Sequence, residues 1–62
     1  MTTYKFTYKD SRVFFNNTFE QIVMTRDELA NSEKIFKQYM MATNKDAYMG
    51  GMITLLNTEK IA

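Results

Sequence analysis

Ile22-Val23-Met24-Thr25-Arg26-Asp27-Glu28-Leu29 decides the fold of this chain, because within it a strand-like apolar run stops and the signals of a helix start begin. Thr25 is a good N-cap residue, and Glu28, three positions on, completes a capping box. Asp27 and Glu28 also suit the positive end of a helix. From Arg26 the period becomes helical, with Leu29, Phe36, Met40 and Thr43 along one stripe and Ile35, Tyr39 and Ala42 at its margins. A helix over about 26–43 follows, roughly 27 Å long at about 1.5 Å per residue. Glu33 and Lys37 form a favourable pair within it, and Asn44 and Lys45 suit its C-terminal end.

Upstream of the junction, Tyr4, Phe6 and Tyr8 alternate with Lys5, Thr7 and Lys9, the period of a strand with one buried and one wet face. A second segment, Arg12 to Phe15, precedes Asn16-Asn17, whose side chains tolerate positive φ and suit a tight turn. Thr18 to Met24 then returns as the antiparallel partner. A two-residue turn would place Asp10 opposite Val23, a register that cannot put Tyr4, Phe6 and Tyr8 on the face of Ile22 and Met24. A bulge or break near Asp10-Ser11 is therefore expected, so that both apolar sets face the helix and residues 4 to 15 form one bent strand.

Downstream of the helix, Asn44 to Gly51 reads as a loop that carries Tyr48 and Met49 and ends at Gly50-Gly51. Met52 to Leu56 is a short apolar run, read as a third strand over about 52–57, and Asn57 to Ala62 reads as a tail that frays or is pinned by Ile61. The expected fold class is α+β over residues 1–62: an antiparallel hairpin, one helix and a third strand, in a small sheet packed on the helix.

A chain of 62 residues has room for one domain. Such a chain buries only about 60% of its unfolded surface and is stable by roughly 3–5 kcal/mol at most. With no cysteine and no histidine it has neither a disulfide nor a zinc site to brace it. The same absence removes most nucleophile–base pairs and transition-metal sites, and no glycine-rich phosphate loop is present. Asp27 and Glu28 are adjacent on a helix and diverge, so they read as first-turn residues and not as a catalytic pair. The expectation is a protein that is not an enzyme and takes no cofactor or metal. No apolar stretch has the length of a membrane span or signal core, and Asn16-Asn17-Thr18, although a glycosylation sequon, reads as a turn.

The net charge of +1 gives no overall electrostatic footprint for nucleic acid. A small sheet displaying Lys5, Lys9 and Arg12 could still lie in a DNA groove, although these residues read more simply as the solvated face of an edge strand. Four tyrosines, five phenylalanines and six methionines are a generous supply for a small core and are residue types common where proteins recognise one another.

At the strand-to-helix junction Ile22, Met24, Arg26, Asp27, Glu28 and Leu29 follow an Ile-x-Met-x-basic-Asp-acidic-aliphatic pattern. In this the chain resembles the Dmd antitoxins of T4-like bacteriophages, which neutralise host RNase toxins of the RnlA and LsoA type. Lys5, the apolar first strand, Phe36, Ala42, Ile53 and Leu56 fall in step with the same pattern, and the lengths nearly agree. The chain departs from it at Asn31, where the family pattern has a tryptophan, and in lacking C-terminal cysteines; both bear on target preference. The resemblance implies a stoichiometric inhibitor in the host cell cytoplasm that occludes the RNA-cleaving groove of an endoribonuclease toxin so that phage messages survive. The polar groups expected to make that contact lie away from the apolar stripe: Arg26, Asn31, Lys34 and Gln38, followed by Asn44, Lys45, Asp46 and Tyr48. An inhibitor of another host defence protein would need the same kind of surface, and an exposed Phe15, Tyr48 or Met49 would equally serve a homodimer of the free chain.

Overall fold

The computed structural model describes residues 1–27 and 31–62. The alternation from Tyr4 to Lys9 forms strand β1 (Thr2–Asp10), and β2 (Thr18–Thr25) returns antiparallel to it. Helix α1 (Ser32–Thr43), a short helix α2 (Lys45–Met49) and strand β3 (Ile53–Lys60) follow. The three strands form one antiparallel sheet in the order β2-β1-β3, as the α+β expectation requires.

The hairpin register differs from the expected one. Tyr8 pairs with Phe19 and Lys9 with Thr18, so residues 11–17 are a loop and Arg12 to Phe15 is not strand. Asp10 is the cause. Its carboxylate accepts from the Arg12 backbone N–H at 3.0 Å and from the guanidinium, with Arg12 Nη2 at 2.6 Å, while its own N–H donates to the Asn17 carbonyl at 2.8 Å. The chain thus folds back on a buried carboxylate before it reaches Asn16, which nonetheless takes the positive φ expected of it, 53°.

In this register Phe19, Gln21 and Val23 share the helix face with Tyr8, Phe6 and Tyr4, and Ile22 and Met24 point to the opposite, open face with Lys5 and Thr3. The expected bulge or break near Asp10-Ser11 is a break, since β1 ends at Asp10, but it leaves Ile22 and Met24 on the open face; a bulge lies on β3, where Thr7 pairs with Asn57 but Tyr8 with Leu55, leaving Leu56 as the extra residue. The bulge changes the parity of β3, so that Ile53 and Leu55 before it and Thr58 after it all oppose helix-facing residues of β1. Of the two expectations for Asn57 to Ala62, pinning is the one met: the segment extends β3, and beyond the strand Ile61 N–H donates to the Thr3 carbonyl and Thr3 N–H to the Ala62 carbonyl, each at 2.8 Å.

Helix α1 begins later than the expected residue 26. Asn31 is its N-cap, with a side chain that accepts from Lys34 N–H at 2.8 Å. Thr25 ends β2, and its hydroxyl accepts from Asp27 N–H at 3.1 Å in a local turn. The capping role of Glu28 and the stripe position of Leu29 lie outside the described residues. From α1 the side chains of Ile35, Phe36 and Met40 join Phe6, Ala47 and Ile53 in the buried core. Phe36 sits at its centre, with ring centroids 5.1 Å from Phe6, 5.8 Å from Tyr8 and 6.1 Å from Tyr48.

The expected loop at 44–51 contains α2, which buries Ala47. Gly51, at φ 76°, makes the left-handed turn that sends the chain from α2 into β3.

Candidate functional site

The eight residues singled out for partner binding fall into four places. Asn31, Lys34 and Gln38 recur at helical spacing along α1; Lys34 and Gln38 are exposed, but the Asn31 oxygen is committed to its cap. Asn44, Lys45 and Asp46 are brought together with Arg12, Thr43 and Ala47 around an open hollow of about 460 Å³ at the α1–α2 junction. Tyr48 lies apart from them, on a second hollow of about 390 Å³ floored by Phe36, Ile53 and Leu55. Arg26 follows the end of β2 and lines neither hollow.

The first hollow is the more highly charged of the two. The first combines Arg12 and Lys45 with Asp46, but the Arg12 guanidinium is already held by Asp10. That hydrogen-bonded pairing lowers the Asp10 carboxyl from its ordinary value and raises Arg12. Among the described residues no cluster of acidic side chains is placed to hold a metal ion, and no helix is long and apolar enough to cross a membrane.

The three cations considered for DNA reading are not presented together. Lys5 and Lys9 lie on the open face of the sheet, whereas Arg12 belongs to the loop. Lys5 Nζ is 2.7 Å from the Glu20 carboxylate, and this hydrogen bond, with the attraction of that charge, raises the Lys5 pKa. Two of the three cations are thus matched by a carboxylate before any phosphate arrives.

What the sequence reading missed is the loop itself. Phe14 and Phe15 are 94% and 83% exposed, with their rings tilted at 6.3 Å from one another. Few soluble surfaces leave two consecutive phenylalanines in water without a use for them. The loop carrying them is held at its base, by the Asp10–Arg12 pair and the Asp10–Asn17 hydrogen bond. An exposed Phe15 was among the expectations, but both aromatics were placed in a strand, where neighbours point to opposite faces, so the exposed pair was not foreseen. Compared with known protein-family models, curated proteins and solved structures, the chain matches none.

Proposed function

We propose that this chain works by binding a protein, as a phage antitoxin of the Dmd type that inhibits a host endoribonuclease toxin of the RnlA or LsoA type and so preserves phage mRNA. The observation that carries the binding role is the Phe14–Phe15 pair, exposed on a loop with a fixed base. Exposed aromatics on an ordered base are the residue type that anchors interfaces, because they bury a large area at small entropic cost. The run from Ile22 to Leu29 supplies the target class through its resemblance to those antitoxins. The exposed polar groups of α1 and of the first hollow, Lys34, Gln38, Lys45 and Asp46, supply a polar rim that can enter a nuclease groove.

The test is capture of the toxin by the tagged chain from host lysate, followed by an RNA-cleavage assay on the recovered nuclease. The chain is expected to suppress cleavage stoichiometrically. A variant carrying Phe14→Ser and Phe15→Ser should remain folded but bind at least about 30-fold more weakly, the loss of roughly 2 kcal/mol that marks an interface anchor. Absence of any nuclease capture, together with salt-sensitive DNA binding, would sink this reading in favour of a sheet-based DNA-binding module. Capture of a host defence protein that does not cleave RNA would keep the inhibitor and change its target.

A further inference from the structure

The two edges of the sheet are built differently. β3 carries Glu59 and Lys60 near its end and a bulge at Leu56, devices that discourage a further strand from pairing. β2 has neither: it runs regularly along β1, has no proline, lysine or arginine, and its one charge, Glu20, is already matched by Lys5 at 2.7 Å. No strand among the described residues covers its outer side.

The direction of its unused backbone groups follows from the ladder. The Asp10 N–H donates to the Asn17 carbonyl, so odd-numbered residues of β2 exchange hydrogen bonds with β1, and Thr18, Glu20, Ile22 and Met24 turn theirs outward. Consistent with this, the Gln21 carboxamide donates to the Ile22 carbonyl at 3.1 Å, as it can to a carbonyl that the ladder leaves unused.

We propose that this edge pairs antiparallel with β2 of a second copy, about a two-fold axis at Val23, so that two three-stranded sheets become one continuous sheet. Opposed residues must share a face, which requires the axis to pass through a residue and not between two. With the axis at Val23, Ile22 lies opposite Met24 of the second copy, and Arg26, the first residue after β2, falls at the level of Glu20 of the second copy, whose carboxylate can hold it beside Lys5, each contact occurring twice by symmetry. Arg26 is exposed and makes no ion pair among the described residues. Moving the axis to Ile22 sets Glu20 against Met24, and moving it to Gln21 sets Glu20 against Ile22; only Val23 matches apolar to apolar and acid to base. The open-face side chains of Ile22 and Met24, 48% and 65% exposed, are then covered by their own counterparts.

An edge contact is smaller than the roughly 800 Å² per partner of a stable complex, so the dimer is expected to dissociate at roughly micromolar concentration or above. Sedimentation equilibrium on the isolated chain, from about 1 µM to 1 mM, should show the mass rising from 7.3 kDa toward twice that value. Arg26→Glu and, separately, Met24→Lys should each weaken the dimer at least tenfold while leaving the circular dichroism unchanged. The chain has no cysteine of its own, so Val23→Cys places one thiol at the axis, where the Cα atoms of an opposed pair, about 4.5 Å apart, lie within disulfide range. It should oxidise to a covalent dimer much faster than Thr18→Cys, whose two copies would stand at opposite ends of the joined strands. A mass of 7.3 kDa at every concentration overturns the proposal. So does a dimer that tolerates Arg26→Glu and in which the two cysteine variants oxidise alike. The measurement uses the chain alone, so its outcome is independent of whether any nuclease is bound.

Discussion

Asp10 ends a strand, anchors a loop and holds a guanidinium, and its carboxylate accepts every one of the Arg12 contacts. Its folded pKa is lowered, chiefly by the Arg12 side chain and then by the Arg12 backbone N–H. A depressed carboxylate contributes stability above its unfolded value, about 3.9, and loses it as pH falls through the folded value. Acid unfolding of Asp10→Asn, followed by circular dichroism, should therefore show a shallower fall in stability below about pH 4 than the parent chain. Lys5 has the opposite sign: with its pKa raised by Glu20, its contribution is present below about 10.4 and lost as pH rises through the folded value. At the helix start, Asn31→Ala should cost about 1 kcal/mol, a drop of about 4–8 °C in melting midpoint, and an unchanged midpoint would count against the cap. The sequence reading took Thr25 as the cap, because Glu28 completes its box, and read Asn31 as a contact residue within the helix. A β-branched residue at the end of an apolar alternating run is, however, also a good strand residue. In the structure Thr25 pairs with Thr2, and the cap falls to Asn31.

At the scale of elements, the type of each segment was legible because it rests on side-chain period: Tyr4 to Lys9 reads as strand, Ile35 to Met40 as helix, and both are so. Register was not legible, because it rests on where the turn closes, and the Asp10–Arg12 interaction closes it earlier than Asn16-Asn17 would. The cost of that error was to assign Ile22 and Met24 to the core and to leave Phe14 and Phe15 in a strand. The break after Asp10 was anticipated, as a bulge or break; the bulge on β3 was not, since nothing in Leu55-Leu56-Asn57 marks which residue is extra. Its position carries an unusual expectation. Deleting Leu56 removes the unpaired residue and leaves Ile53, Leu55 and Thr58 facing the helices, so the variant should fold and melt within a few degrees of the parent. Deleting Thr54 turns the buried Ile53 to the open face and should unfold the chain, because losing a buried aliphatic costs about 2–5 kcal/mol, comparable to the whole stability of so small a domain. Comparison of the two deletions by thermal melting tests the register of β3 directly.

As a whole, the molecule is one sheet layer under one helical layer, with Cα extents of 35 × 20 × 14 Å. Its buried core is a short list of side chains with Phe6 and Met40 fully enclosed, and it has no disulfide. Phe6→Ala, expected to cost about 3–5 kcal/mol, should abolish folding. Because association would add to so narrow a margin, the melting midpoint should rise with protein concentration and lose that dependence in Arg26→Glu. The single-layer sheet with one open face was implicit in the sequence, which supplies one amphipathic helix of useful length and so covers one side only. Which residues line the open face followed from register, and was lost with it. The hydrogen bonds joining Thr3 to Ile61 and Ala62 have a further consequence, for chain connectivity. They bring the two ends of the sequence side by side, so a short linker between them and a cut at Phe14–Phe15 would give a circular permutant with the same sheet order. In that permutant β3 and β1 become a local hairpin, where now Tyr4 must find Lys60 across nearly the full sequence. The same cut makes the β1–β2 pairing, now a local hairpin, the distant one, so the rewired chain should reach the same fold at a rate close to the parent's in stopped-flow measurements.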